Sequence, residues 1–307
     1  MYEIRFPNLG IVLKNVVDGF YIGNFKIQFY GVVIAVGFVL AYMMFAQEAK
    51  RTGQDPELYL DYMLWLVVPA ILGARIYYVL FSLDDFVQKG KPVKDTILKM
   101  LNIRGGGLAI YGGVIAGIIT LIIFAKKRNV KVMLMLDTCA MGLLIGQILG
   151  RWGNFFNREC FGGYTNSLLA MAIPVEWFGG QNYLLNRVNN GIITQEMIDN
   201  VLKIDGREFI QVHPTFLYES VWNLILLLVI FLYRRYKKFD GELFAMYIWG
   251  YGLGRVWIEG LRTDSLMIPG AGFKVSQLVA ALCVVAASIY IVYKRMHLDQ
   301  DMRDLSD

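Results

Sequence analysis

Seven windows of about 20 mostly apolar residues recur along this chain, each long enough to cross a hydrocarbon layer of ~30 Å. They run Ile27–Ala46, Tyr62–Phe81, Gly105–Ala125, Val132–Gly150, Pro214–Tyr233, Leu243–Gly260 and Val275–Tyr293. Inside a bilayer every backbone polar group must be satisfied within the segment, so such windows are helices. Apolar residues make up 56% of the 307 and charged residues 18%, against roughly 45–50% and 25% in soluble chains. The expectation is an all-α polytopic membrane protein with seven transmembrane helices. Residues 1–307 then form one membrane domain, with the polar stretch 157–212 inserted between the fourth and fifth helices as a small external head. Met1 to Ile22 alternates apolar and polar residues and lacks a basic start and a small-residue cleavage site, so no removable signal peptide is read there.

Lysine and arginine set the orientation. Lys50–Arg51, Lys126–Lys127–Arg128 with Lys131, Arg234–Arg235 with Lys237–Lys238, and Lys294–Arg295 follow spans one, three, five and seven. With these on the cytoplasmic side, the N-terminus is outside and the C-terminus inside. The connection Ser82–Arg104 dissents, with Lys89, Lys91, Lys94, Lys99 and Arg104. It is outvoted and read as lying on anionic headgroups of the lipid bilayer. Basic runs beside apolar spans indicate membrane orientation and no nucleic-acid partner. Cys139, Cys160 and Cys283 are too scattered for a disulfide framework or a CxxC pair, and His213 and His297 cannot build a histidine-rich metal centre.

Ionisable side chains within a membrane are costly and are functional candidates by default. In this topology Tyr30, Tyr111, His213, Tyr218 and Glu219 fall near the outer ends of spans one, three and five. Arg75, Arg151, Arg255 and Glu259 fall near the outer ends of spans two, four and six. Asp137, near an inner end, is assigned a structural role. Tyr251, Arg255 and Glu259 are spaced i, i+4, i+8 and share one helix face, which Arg262 continues. Either Arg255 and Glu259 neutralise each other, or the carboxylate orients a guanidinium whose free edge takes a phosphate. The four-residue spacing of Gly142/Gly146/Gly150, Gly113/Gly117 and Gly250/Gly254 indicates close helix packing. Gly105–Gly106–Gly107 permits a bent entry to span three. The densest signal is Gly150-Arg151-Trp152-Gly153-Asn154-Phe155-Phe156-Asn157-Arg158-Glu159-Cys160-Phe161-Gly162-Gly163, placed just past span four.

That stretch resembles the signature of bacterial prolipoprotein diacylglyceryl transferases. The likeness continues through Gln28-Phe29-Tyr30-Gly31, Gly73-Ala74-Arg75-Ile76, Gly106-Gly107-Leu108-Ala109-Ile110-Tyr111-Gly112-Gly113, His213-Pro214-Thr215-Phe216-Leu217-Tyr218-Glu219, and Gly250-Tyr251-Gly252-Leu253-Gly254-Arg255 to Glu259. The resemblance implies a multi-pass enzyme of the bacterial plasma (inner) membrane with its active site toward the outer leaflet. It would move the diacylglyceryl group of phosphatidylglycerol to the lipobox cysteine of lipoprotein precursors. It further implies that Arg151 binds the phospholipid and that Asn154, Glu159, Gly162 and Tyr251 shape that site. Tyr30, Tyr111, Arg255 and Glu259 would serve catalysis, and no metal or nucleotide cofactor is implied. Some members carry a histidine, proposed as general base, where this chain has Tyr111. A tyrosine with a pKa of ~10 is a poor base near neutrality, so it positions substrate or the base lies elsewhere, with His213 and Glu259 as alternatives. A transporter and a different lipid-headgroup transferase are the competing classes. The one-sided clustering of charge and the lack of an inverted repeat count against the transporter.

Overall fold

In the computed structural model, residues 2–87, 92–103, 106–180, 184, 191–265, 267 and 272–304 are described. They fall into two compact units, Met1–Ala41 with Ala140–Asp307, and Tyr42–Cys139. The helices are α1 (Phe29–Arg51), α2 (Pro56–Phe81), α3 (Leu83–Phe86), α4 (Val93–Leu101), α5 (Ile110–Lys127), α6 (Val132–Asn157), α7 (Gln195–Asp199), α8 (Thr215–Tyr233), α9 (Glu242–Leu261) and α10 (Val275–Asp304). Among the described residues six helices are long and apolar enough to cross a membrane: α1, α2, α5, α6, α8 with the turn that follows it, and α10. The chain is a multi-pass membrane protein. The window Leu243–Gly260 is also helical, as α9. Its glycines and the Arg255/Glu259 pair keep it out of that set.

Among the described residues the all-α expectation is corrected by seven strands: β1 (Ile4–Phe6), β2 (Ile11–Leu13), β3 (Gly19–Ile22), β4 (Phe25–Gln28), β5 (Met171–Pro174), β6 (Leu202–Ile204) and β7 (Arg207–Val212). Five form an antiparallel sheet in the order β2-β1-β5-β7-β6, and β3 with β4 form a hairpin that runs straight into α1. The apolar–polar alternation before Ile22 is the period of a half-buried strand. The sheet joins residues on either side of spans one to four, pairing Arg5 with Ala172 and Met171 with Val212. Its buried face packs Ile4, Ile173, Ile210 and Val212 against Phe155 of α6 and Phe216 of α8. Burial of such side chains contributes ~1.5–3 kcal/mol each, so the sheet is fastened to the helix ends that carry the polar residues.

Helix limits also shift. α6 continues through Arg151 and Asn154 to Asn157, so most of the signature is the last two turns of a helix and not a loop past it. α5 starts at Ile110 because Gly106 and Gly107 adopt positive φ (86° and 78°). Gly105, Lys89, Lys91 and Arg104 lie outside the described residues.

The expected glycine contacts hold in part: Gly250 and Gly254 pack closely, Gly113 and Gly117 make ordinary van der Waals contact with α2, and a Cβ on Gly146 would meet nothing. In the 42–139 unit, a Cβ on Gly73 or Gly112 would overlap the other's backbone, bringing α2 and α5 together. In the other unit, Gly250 and Gly254 of α9 lie against Leu226 and Trp222 of α8, where the Trp222 indole donates to the Gly250 carbonyl at 2.8 Å. Arg75 is a brace. It donates to the carbonyls of Lys99, Met100, Asn102, Gly106 and Gly107 at 2.7–2.9 Å, tying the end of α4 to the entry of α5. Asp137 is buried at 2% exposure.

Candidate active site

Three helices of the unit built from 1–41 and 140–307 converge on one carboxylate. Glu219, in the second turn of α8, is 2% exposed. Its Oε1 accepts from Arg151 Nη2 of α6 at 2.8 Å and from the Tyr251 hydroxyl of α9 at 3.4 Å. Its Oε2 accepts from Arg255 Nη1 of α9 at 2.9 Å. The spacing of Tyr251, Arg255 and Glu259 by one turn each puts them in a row along α9, and Arg255 uses its other nitrogen, Nη2, on Glu259. Arg255 is thus paired, and to two carboxylates at once. Glu219 sets the distance between two guanidinium groups.

The row continues past the helix end. Glu259 Oε1 accepts from the Ser276 hydroxyl at 2.5 Å, and Arg262 lies 3.8 Å from Glu259 Oε2 while forking onto Asp264 at 3.0 and 2.9 Å. Burial opposes ionisation of Asp264, but the Arg262 fork outweighs it and holds this carboxyl below its usual range. From α6, Arg151 Nη1 bonds Asn154 Oδ1 at 3.2 Å, and Asn154 and Asn157 donate to Glu159 at 2.9 and 3.3 Å. Arg151 and Asn154, three residues apart, thus share a face and hand a hydrogen-bond chain to the loop beyond.

That loop is pinned by backbone. Gly162 donates to the His213 carbonyl at 3.0 Å, Gly163 donates to the Leu261 carbonyl at 2.9 Å, and Gly162 bridges Arg262. A Cβ on Gly162 would come within 2.9 Å of the Leu261 oxygen, so the close approach requires glycine. Tyr30, at the start of α1, packs against Gly153, where an added Cβ would fall 2.5 Å from the ring. Gly153→Ala is expected to displace that ring and to destabilise the protein by ~1–3 kcal/mol, read as a lower unfolding temperature in detergent. An unchanged temperature contradicts the packing.

Of the residues expected from sequence, Arg151, Asn154, Glu159, Gly162, Tyr251, Arg255 and Glu259 are joined by these bonds, and Tyr30 packs on the same helix end. Tyr111 belongs to the 42–139 unit, in the first turn of α5, with its ring 6.3 Å from that of Tyr77. Glu219 was legible only as one costly residue among several. Ser276 gave no signal. His213 Nδ1 lies 3.2 Å from the Tyr218 hydroxyl, and burial pushes its pKa down. Burial pushes the Cys160 thiol up to about 11, leaving it protonated and a weak nucleophile.

Chemically, the arrangement is a buried set of guanidinium groups held by carboxylates at the ends of membrane helices, which suits a phosphate at the edge of lipid. Residues 18–293 match the family described as prolipoprotein diacylglyceryl transferase. The chain is similar to proteins named phosphatidylglycerol–prolipoprotein diacylglyceryl transferase. It is 38% identical to that of Oceanobacillus iheyensis, over 92% of this chain and 89% of the relative. It is 37% identical to that of Finegoldia magna, over 92% and 97%, and 37% identical to that of Halalkalibacterium halodurans, over 89% and 84%. With that coverage and identity, the chain belongs to the prolipoprotein diacylglyceryl transferase family.

Proposed function

We propose that this protein transfers the diacylglyceryl group of phosphatidylglycerol to the thiol of the lipobox cysteine in lipoprotein precursors. The observation that carries the reading is Glu219 holding Arg151 and Arg255 side by side. In the reaction the substrate thiol loses its proton, its sulfur forms a C–S bond to the glyceryl carbon, and that carbon's ester bond to phosphate breaks. Glycerol phosphate leaves with the electron pair, and the thiol's proton is balanced on the released phosphate monoester. Charge grows on the phosphate as the bond breaks, so a preplaced guanidinium stabilises the transition state more than the bound lipid.

In this reading Arg151 binds the lipid phosphate, Arg255 meets the charge that develops, and Glu219 and Glu259 aim the two. Asn154, Glu159, Gly162 and Tyr251 shape the lipid site, Tyr30 lines it, and Tyr111 positions substrate. The same proposal places seven spans in the bacterial plasma membrane, α9 included, with the N-terminus outside. The 157–212 segment is then external and the site faces the outer leaflet. α9 supports this, since its 20 residues are long enough to cross the hydrocarbon layer.

Purified protein in detergent, given phosphatidylglycerol and a lipobox peptide, should raise the peptide mass by one diacylglyceryl group. A peptide with serine for the cysteine should gain nothing. No product from folded protein with several lipids tried contradicts the proposal and makes a flux assay for transport the next step. Cys160→Ser is expected to keep wild-type turnover within about twofold, since the reacting sulfur is the substrate's and a buried neutral thiol contributes little. A large loss would implicate Cys160 directly.

A further inference from the structure

The last turn of α9 carries Glu259 and delivers Arg262, and helix ends fray unless their free carbonyls are met. Here they are met unusually fully. Lys274 Nζ, one residue before α10, donates to the carbonyls of Glu259 at 2.7 Å, Gly260 at 3.0 Å and Arg262 at 2.5 Å. The Leu261 carbonyl is taken by Gly163 of the signature loop at 2.9 Å. Two further bonds come from the same start of α10: Ser276 to the Glu259 carboxylate at 2.5 Å and Gln277 to the Val256 carbonyl at 2.7 Å. An ammonium has three donors, and all three are spent on this turn, so none remains for a phosphate. A cation at a helix C-terminus also meets the negative end of the helix dipole.

We propose that Lys274 is a positioning residue for the transferase site, locking the end of α9 so that Glu259 and Arg262 hold their directions and the Gly162–Arg262 bridge stays closed. Its effect on turnover rests on the function proposed above; its capping role does not. Lysine's reach and point charge suit three converging carbonyls, whereas arginine offers a planar fork that matches them in part.

The test uses the full chain in detergent with Lys274→Met, Lys274→Arg and Ser276→Ala. Amide hydrogen exchange at Arg262 and Gly163 should quicken at least about tenfold in Lys274→Met and less in Lys274→Arg. Turnover should fall about tenfold in Lys274→Met, with KM for phosphatidylglycerol changed less than about threefold and partial recovery in Lys274→Arg. Unchanged exchange overturns the cap. Quickened exchange with turnover within about twofold of wild type overturns the positioning role. If Lys274→Met does not fold, Ser276→Ala decides: a turnover drop of about threefold at an unchanged unfolding temperature supports positioning through this end of α10, and no drop overturns it. A wild-type protein without transferase activity refutes the function alone, since the exchange result still decides the cap.

Discussion

Glu219→Ala is expected to lower turnover by about 10²–10³-fold. Truncation leaves Arg151 and Arg255, both mostly buried, facing each other without the anion that bonds each at 2.8 and 2.9 Å. Removing one partner of a buried ion pair costs ~3–5 kcal/mol, and 1.36 kcal/mol in a barrier is about tenfold in rate. The cost should fall on the chemistry as well as on stability, because the two guanidinium groups lose the carboxylate that holds both in place. Glu219→Gln keeps the shape and one acceptor oxygen while removing the charge, and should lose about tenfold. Turnover, KM for phosphatidylglycerol and unfolding temperature, measured together, separate these effects. A Glu219→Ala protein that folds and turns over within about threefold of wild type contradicts the assignment.

Arg255→Lys should lose about 10²-fold in turnover although the charge is kept. Arg255 reaches Glu219 with Nη1 and Glu259 with Nη2, and that fork fixes the plane of the guanidinium. An ammonium on a flexible stem cannot span both carboxylates and present a planar edge to the leaving phosphate. Loss of one preorganised donor at a site of developing charge typically costs 10²–10³-fold. The loss should appear in kcat more than in KM, the pattern of an interaction made chiefly in the transition state. Normal turnover in Arg255→Lys removes Arg255 from the leaving-group role.

The helices and the polar row on α9 were readable from sequence because both depend on local periodicity: apolar runs of membrane length and a four-residue repeat. The sheet was not, since its strands are three to six residues long and β1 finds its partner β5 across the intervening spans. A strand that short has no meaning until its partner is known. Arg151 and Asn154 were recognised as residues of one motif but placed past the span. Gly150 was read as a close-packing position, and in the structure it faces Ile34 of α1, while Gly153, one turn on, faces Tyr30. Glu219 illustrates the main limit. Its bonds join residues 68 and 36 positions away, and no spacing rule links three helices. Lys274, a lone basic residue outside every motif, acquires meaning only from three carbonyls brought to it by the turn before.

The most direct test of the proposed phosphate clamp is to count, in one reaction, glycerol phosphate released and lipobox peptide modified, for wild type and for Arg151→Ala. One glycerol phosphate per modified peptide is expected in wild type, with a parallel fall of both by at least about 10²-fold in Arg151→Ala. Modified peptide without matching glycerol phosphate, or full rates in Arg151→Ala, would contradict the clamp.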